Sequence, residues 1–241
     1  MRRKTDLSLV IPVYNEEKRL GSGLQTIIKY LQAEEFSWEL IVVDDGSSDQ
    51  TITLARRFVK NIDNARVLKS PHLGKGGAIK QGVLNANGKW VLFLDIDLAT
   101  PMTELGKFMN IRNEYDVIIG SRKMKGANVL VHQPKFREFG GKVFTALTNV
   151  LVTKGISDIT CGFKLFRTKW AKTIFARSLL SDWSFDAEIL FLAQKSELRI
   201  KELPVRWVND PRTKVNLFKD TLRSFSGLVK IRVYDILGRY G

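Results

Sequence analysis

Short apolar runs alternate with segments of helical periodicity along the first half of the chain, and this alternation limits the possible folds more than any other feature. Strands are predicted at residues 7–13, 39–43, 66–69, 90–94 and 117–119, and helices at residues 18–33, 49–59, 78–86 and 103–112. Strands that alternate with helices build a mostly parallel sheet with helices on both faces. The expected fold class is therefore α/β and Rossmann-like.

The second half is less regular. Helices are predicted at residues 139–152 and 185–195, a strand at 163–166 and an extended segment at 200–208. No linker rich in Pro, Gly or Ser separates the halves. We therefore expect one enzyme-sized domain at residues 1–213 and a C-terminal appendage at residues 214–241.

The appendage has the pattern of an amphipathic helix. Apolar residues recur there at spacings of three and four: Phe218, Leu222, Phe225, Val229, Val233 and Ile236. Basic residues occupy the other faces: Lys219, Arg223, Lys230 and Arg232. Such a helix lies on an anionic membrane surface or packs its apolar face on the core, and the pattern leaves both interpretations open.

The chain is strongly basic, with 39 Lys and Arg against 25 Asp and Glu and a formal charge of +14. This balance indicates a polyanionic partner or a well-solvated surface. The single cysteine, Cys161, excludes an internal disulfide and fits a reducing compartment. No run approaches the roughly 20 apolar residues that span a bilayer. We expect a cytoplasmic chain, soluble or peripheral on the cytoplasmic membrane face.

Two carboxylates, Asp95 and Asp97, follow the predicted strand at residues 90–94. Residues two apart in a strand point the same way, so both can bind one oxygen-loving cation. Mg²⁺ and Mn²⁺ take such carboxylates together with substrate phosphate oxygens. Solvated loop residues are the alternative, but the position at the end of a buried strand favours a metal site.

Another acidic pair, Asp44 and Asp45, ends the second strand. Gly46 allows a tight turn there, and Ser48 or Asp49 can cap the next helix. Capping leaves the acidic pair unexplained. Carboxylates just past a strand end can accept hydrogen bonds from a nucleobase or a ribose hydroxyl, which favours a nucleoside site.

Further polar residues offer weaker signals. Glycines surround Lys75 ahead of a predicted helix, without P-loop spacing, and suit either anion binding or an ordinary turn. Arg122 and Arg137 can clamp phosphate oxygens or lie on the surface. His72 is interpreted as a loop residue.

Together these motifs identify a family. The chain resembles the inverting glycosyltransferases of family two, which have the GT-A fold, in VIPVYNE at 10–16, VDDGS at 43–47, GKG at 74–76 and DID at 95–97. It is most similar to the dolichyl- and polyprenyl-phosphate sugar transferases, especially the β-glucosyltransferases. That likeness lies in DLATP at 97–101, GSR at 120–122, DITCGFKLF at 158–166, WSFDAE at 183–188, PVRW at 204–207 and TKV at 213–215.

The resemblance implies roles for individual residues. Those expected to bind the nucleotide sugar are Pro12, Tyr14, Glu16, Asp44, Asp45, Lys75 and Asp95. Those expected to bind Mg²⁺ or Mn²⁺ are Asp95 and Asp97. Those expected to serve catalysis at the sugar and phosphates are Asp97, Arg122, Arg137, Asp186 and Glu188.

The implied reaction moves a hexose, with inversion, from a nucleotide diphosphate to a polyprenyl phosphate. UDP-glucose is the favoured donor and GDP-mannose the alternative. A glycosyltransferase acting on a saccharide hydroxyl remains open, and it would need a general base such as Asp186 or Glu188. Nucleic-acid binding rests on charge alone and is not expected. The chain departs from its relatives in residues 209–212 and in lacking transmembrane segments.

Overall fold

The computed structural model describes the backbone of residues 5–131, 135–208 and 217–241, and their side chains except at 135–137 and 217–224. The strands are β1 (Leu7–Val13), β2 (Trp38–Asp44), β3 (Ala65–Lys69), β4 (Trp90–Phe93), β5 (Val117–Ser121), β6 (Asn128–Val131), β7 (Lys164–Arg167), β8 (Ile200–Pro204) and β9 (Arg206–Val208). The helices are α1 (Glu17–Gln32), α2 (Thr51–Val59), α3 (Lys75–Leu84), α4 (Leu105–Ile111), α5 (Lys135–Leu151), α6 (Thr168–Arg177), α7 (Phe185–Lys195) and α8 (Leu217–Ile236).

Within these ranges, seven strands form one sheet in the order β3-β2-β1-β4-β7-β5-β8. All neighbours in it are parallel except at β7, which runs antiparallel to β4 and β5. The mostly parallel α/β prediction is confirmed. The chain proceeds from β1 outward to β3 and then returns to place β4 on the other side of β1. Crevices at such reversals are where open α/β sheets bind ligands.

Successive side chains of the central strands point to opposite faces of the sheet and therefore belong to two separate hydrophobic cores. Leu9 and Ile11 join a cluster with α1, α2 and α4. Val10, between them, joins a second cluster with α3, α6, α7 and α8. Helices therefore cover both faces, as expected for a sheet whose central strands are apolar throughout.

The antiparallel strand β7 matters most for the site. Its first residue, Lys164, pairs with Phe93 at the end of β4. The residues just before β7 therefore lie beside the residues just after β4. In this way the second half of the chain reaches the edge where the parallel strands end.

Three segments differ from expectation, and one of them is β6, where the sequence predicted no element. Helix α6 occupies residues for which the sequence predicted no element, because it begins directly after β7 without a turn. The extended segment at 200–208 divides at Val205. Its first part, β8, pairs with β5, whereas β9 pairs with β6 in a separate two-stranded sheet. Pro204 cannot donate a hydrogen bond to a ladder, which suits the end of a strand.

Helix α8 packs on the core and also carries exposed apolar side chains. Leu228 and Ile231 are fully buried in the core. Val229, Val233 and Ile236 are 58%, 43% and 78% exposed. The predicted boundary at 213/214 lies outside the described residues, and so do the side chains of Phe218 and Leu222. None of the described helices combines enough length with enough apolar character to cross a bilayer.

Substitution of Gly82 in α3 tests the close packing of this helix on the sheet. A Cβ at Gly82 would overlap Val10 Cγ1 of β1 and lie 3.0 Å from Val43 Cγ2 of β2. We expect Gly82→Ala to lower the free energy of unfolding by about 1–3 kcal/mol. Gly106→Ala in α4 is the matched control, because nothing lies within 4 Å of its Cβ position. It should be neutral or raise stability by up to about 1 kcal/mol. Equal effects in urea denaturation would contradict this packing.

Candidate active site

The loops that follow β1 and β2 are tied together by hydrogen bonds. The Asn15 N–H donates to Ser47 Oγ at 2.9 Å, and the Ser48 N–H donates to Asn15 Oδ1 at 2.8 Å. Asn15 has φ 52°, a left-handed conformation that Asn tolerates better than most residues. Ser48 therefore links two loops instead of capping α2. The Asp45 N–H donates to the Val13 carbonyl at 2.9 Å, so the joined loops hold Tyr14 near Asp45, while Pro12 pairs with Val43 in the sheet.

The Asp45 carboxylate organises the next part of the site. It accepts hydrogen bonds from the N–H groups of Leu73 at 2.8 Å and Gly74 at 2.9 Å. His72 Nδ1 lies 2.9 Å from Asp45 Oδ2. The His72 ring stacks on Tyr14 with centroids 4.3 Å apart. His72 is thus part of the site, which the sequence analysis missed because a lone loop histidine gives no signal.

Asp44 and Glu16 flank this group. Asp44 is fully buried, and its Oδ1 has no hydrogen-bond partner within the described part of the chain. Its Oδ2 accepts the Ser47 N–H at 3.3 Å. The Glu16 carboxylate binds the Arg19 guanidinium, with one contact at 2.7 Å. Asp44 is therefore an internal residue at the end of β2, and Glu16 lies directly before α1.

An ion pair joins the start of α3 to the end of β4. Lys75 Nζ lies 2.6 Å from Asp95 Oδ1 and donates to Asp95 Oδ2 at 2.9 Å. Burial alone would lower the pKa of Lys75, but the carboxylates of Asp95, Asp186 and Asp97 together raise it above its ordinary value. The ammonium is therefore a fixed positive charge at this edge of the sheet.

Asp97 lies close enough to Asp95 for the two charges to repel. Burial and the charge of Asp95 raise the pKa of Asp97. Its Oδ1 accepts the Ala99 N–H at 3.0 Å. Two adjacent ionised carboxylates repel each other, and a divalent cation between them would relieve this repulsion. Phosphate oxygens and water would be its further ligands. Within the described ranges, no cluster of three or more His, Cys, Asp or Glu side chains offers a complete cage.

Gly162, just before β7, makes room for Asp95. A Cβ at Gly162 would overlap Asp95 Oδ2, so a larger residue would displace the carboxylate. The antiparallel register of β7 with β4 creates this approach. The sequence could not reveal it, because the motif around residue 162 carries no sign of its strand partner.

Asp186 lies at the start of α7 and forms a buried ion pair with Lys164. Lys164 Nζ also donates to the Cys161 carbonyl at 2.7 Å. Burial raises the pKa of Asp186 even though the neighbouring ammonium groups of Lys164 and Lys75 oppose this. Asp186 thus lies near the Lys75–Asp95 pair, and Lys164 balances its charge. The sequence motifs gave no role to Lys164.

Arg122 lies beyond β5 and is held by Asp158. Its Nε and Nη2 each contact the carboxylate at 2.7 Å, and its guanidinium lies 5.3 Å from the Trp207 ring centre. Burial alone would raise the pKa of Asp158, but Arg122 lowers it to about 2. Such a rigid guanidinium suits recognition of phosphate.

Glu188 does not join these groups. Its carboxylate is fully buried and accepts hydrogen bonds from the N–H groups of Leu179 and Leu180, both at 2.9 Å, and from the Tyr240 hydroxyl at 2.7 Å. Glu188 and Asp186 are two residues apart on a helix, so they face different directions. The side chain of Arg137 lies outside the described residues.

The glycines around Lys75 serve packing. The Gly76 N–H donates to the Ser181 carbonyl at 2.9 Å. A Cβ at Gly74 would lie 2.8 Å from that oxygen, and one at Gly76 would lie 2.6 Å from Phe185 Cβ. The glycines therefore bring the segment before α7 against the start of α3. Trp183 of this segment lies 5.8 Å from Lys75 Nζ.

Comparison with protein families gives one match over most of this fold. The family model described as Glycosyl transferase family 2 matches residues 8–175. Two curated relatives are named dolichyl-phosphate beta-glucosyltransferase. The chain is 36% identical to the one from Dictyostelium discoideum, over 96% of this chain and 75% of that protein. It is 33% identical to the one from Homo sapiens, over 97% of this chain and 77% of that protein.

A solved structure supports the fold. Glucosyl-3-phosphoglycerate synthase from Mycobacterium tuberculosis, in complex with Mn²⁺, UDP-glucose and phosphoglyceric acid, matches with a TM-score of 0.70. The match covers 94% of this chain and 79% of that one at 18% identity. Likeness at this level of identity establishes the GT-A fold alone.

The Arg122–Asp158 pair predicts a specific pH dependence of stability. The pKa of Asp158 is about 2 in the folded chain and about 3.9 when unfolded, so ionisation stabilises the fold by roughly 2–3 kcal/mol above pH ~4. This contribution is lost as the pH falls from about 4 towards 2. The difference in free energy of unfolding between wild type and Asp158→Asn should be constant above pH ~5 and shrink below pH ~4. A difference independent of pH in urea denaturation would contradict the assignment.

Proposed function

This chain belongs to glycosyl transferase family 2, and we propose that it transfers glucose from UDP-glucose to dolichyl phosphate with inversion at the anomeric carbon. The observation that carries the proposal is sequence identity of 33–36%, across almost the whole chain, to relatives named dolichyl-phosphate beta-glucosyltransferase. The cluster of Lys75, Asp95 and Asp97 at the strand-order reversal supports it, because a nucleotide-sugar transferase needs charge control at the diphosphate.

The joined loops after β1 and β2 would hold the nucleoside. Tyr14 and His72 form a stacked pair beside Asp45, and the backbone of this region is fixed by the hydrogen bonds described above. We assign base and ribose recognition to Pro12, Tyr14, Glu16 and Asp45, with Asp44 as a buried support.

Lys75, Asp95 and Asp97 would hold the diphosphate. Asp95 and Asp97 would bind Mg²⁺ or Mn²⁺, which neutralises the charge that develops on the leaving diphosphate. Lys75 contributes a fixed ammonium at the same place, so it can contact a phosphate oxygen once a cation takes over its pairing with Asp95. Arg122 offers a second cationic group to donor or acceptor phosphate, and Arg137 stays a prediction.

The acceptor needs little chemical activation. The second pKa of a phosphate monoester is about 6, so dolichyl phosphate is largely ionised near neutral pH. One of its oxygens forms the new bond to the anomeric carbon, while the bond from that carbon to the UDP oxygen breaks and UDP leaves with the electron pair. No proton must be removed, which fits an Asp186 whose carboxylate is engaged by Lys164. Asp186 would then position the sugar.

An acceptor comparison tests this function. The protein is incubated with UDP-glucose and Mn²⁺ or Mg²⁺, and with a short dolichyl phosphate, the corresponding dolichol or an oligosaccharide as the acceptor. We expect glucosylated lipid only from the phosphate, with a β linkage by NMR. GDP-mannose in place of UDP-glucose is the donor control. Transfer to saccharide hydroxyls with no transfer to lipid phosphate would contradict the proposal.

Substitution of Asp97 tests the metal assignment. Asp97→Asn keeps an oxygen for the Ala99 N–H but removes the charge, so we expect kcat to fall about 100-fold or more with little change in melting temperature. Asp63→Asn, at an exposed residue, is the matched control and should behave as wild type. Excess EDTA should abolish transfer by the wild type. Undiminished turnover in EDTA would rule out a required divalent cation.

We further propose that α5 and α8 rest on the membrane that contains the acceptor. The two helices pack together through Phe144 and Phe225, whose ring centres are 5.9 Å apart. Exposed apolar side chains remain on both: Phe139, Leu147, Val150, Leu151, Val229, Val233 and Ile236. Exposed basic residues accompany them: Lys142, Lys230 and Arg232. A surface of this kind fits anionic lipid. The cytoplasmic face stays a prediction.

Vesicle binding tests this surface without removing the core residues of α8. The double variant Val229→Glu, Ile236→Glu should co-sediment less with vesicles that contain anionic lipid, because it places two negative charges among the exposed apolar residues of α8. The matched control is Phe58→Glu with Leu84→Glu, at exposed apolar residues of α2 and α3. Salt should weaken wild-type binding. Equal co-sedimentation of both double variants would contradict the assignment.

A further inference from the structure

We propose that Glu188 and Tyr240 are positioning residues for the donor site: their hydrogen bond fixes segment 178–184, which in turn holds Lys75. The inference rests on the proposed function, since it assumes that Lys75 contacts the donor diphosphate. It gives Glu188 a role that differs from the catalytic one implied by the sequence, and it gives the C-terminal residues a role in donor binding.

Segment 178–184 is anchored by Glu188 on one side and by Lys80 on the other. Both oxygens of Glu188 accept backbone hydrogen bonds, from Leu179 and from Leu180, and the Tyr240 hydroxyl supplies a third donor at 2.7 Å. On the other side, Lys80 Nζ donates to the Ser178 carbonyl at 2.7 Å. Burial raises the pKa of Glu188, so each lost donor makes its ionised form less stable.

Segment 178–184 also contacts Lys75 and its neighbour Gly76. The Ser181 carbonyl accepts the Gly76 N–H at 2.9 Å, one residue beyond Lys75. The Trp183 ring lies 5.8 Å from Lys75 Nζ, a distance at which cation and ring attract. Lys75 is therefore supported from the segment by both backbone and side chain. A shift of the segment would move the ammonium relative to Asp95.

Tyr240 and helix α8 pack beside the same segment. Tyr240 is 2% exposed and packs on Phe191 and Tyr234, with ring centres 6.0 and 6.2 Å away. A Cβ at Gly227 of α8 would overlap Ser184 Oγ, so α8 also touches the segment directly. The helix whose other side carries the exposed apolar residues is thus in contact with the support of Lys75.

Two isosteric variants test the proposal through UDP binding, measured by calorimetry with UDP and Mn²⁺. Tyr240→Phe removes only the hydroxyl, and we expect UDP to bind about five- to tenfold more weakly, which is less than the full effect of one hydrogen bond to a charged group because Tyr240 acts on the donor site indirectly. Tyr30→Phe is the matched control, because its hydroxyl interacts with Glu34 and Gly106 in the other core. It should bind UDP as wild type does. The acceptor KM should not change in either variant.

A double-mutant cycle separates positioning from general stability. Glu188→Gln should weaken UDP binding, and adding Tyr240→Phe should weaken it less than additively, because both changes weaken the same interaction between the Glu188 carboxylate and the Tyr240 hydroxyl. Wild-type UDP affinity in Tyr240→Phe, with only a lower melting temperature, would overturn the proposal. Because UDP binding needs no acceptor, a failure of glucose transfer is a separate result.

Hydrogen exchange in the wild type gives a second measurement if a variant does not fold. The N–H groups of Leu179, Leu180 and Gly76 should exchange more slowly together when UDP and Mn²⁺ are bound, because the donor would tighten one connected unit. Protection of Gly76 without any change at Leu179 and Leu180 would overturn the proposal.

Discussion

The ion pair between Lys75 and Asp95 connects the parts of the chain that form the site. It joins the start of α3 to the end of β4, and Gly162 must lack a side chain for Asp95 to occupy its position. Together with Asp97, the pair contributes two negative charges and one positive charge at this edge of the sheet. A divalent cation and a diphosphate can both enter such a group, because each exchanges one ionic partner for another and no charge is left buried alone.

The sequence was sufficient to predict the fold class and the edge of the sheet at which the acidic pairs lie. Parallel strands end at one edge, so Asp45 and Asp95 could be expected near one another from strand positions alone. The contribution of β7 could not be predicted, because its antiparallel register with β4, which places Lys164 and Gly162, depends on tertiary packing. The contacts of Glu188 with Leu179, Leu180 and Tyr240 could not be predicted either, because motif likeness does not show which side of a helix a residue occupies.

Helix α8 shows why periodicity could not decide between core packing and a free surface. Leu228 and Ile231 face the core, whereas Val229 and Val233 are exposed on the same helix. The spacing of apolar residues predicts one apolar face well, but it does not show that α8 has apolar side chains on two faces, one buried and one exposed. Its inner face and the terminal Tyr240 reach segment 178–184, and its outer face is available to a lipid surface. Membrane contact and donor binding would then share one helix.

The most direct test of this account is a crystal structure of the chain grown with UDP and Mn²⁺, with anomalous scattering used to locate manganese. The account predicts an anomalous peak bonded to carboxylate oxygens of Asp95 or Asp97 and to diphosphate oxygens, with Lys75 Nζ moved from Asp95 to a phosphate oxygen. A diphosphate bound elsewhere, with Lys75 still paired to Asp95 and no manganese at these carboxylates, would contradict it.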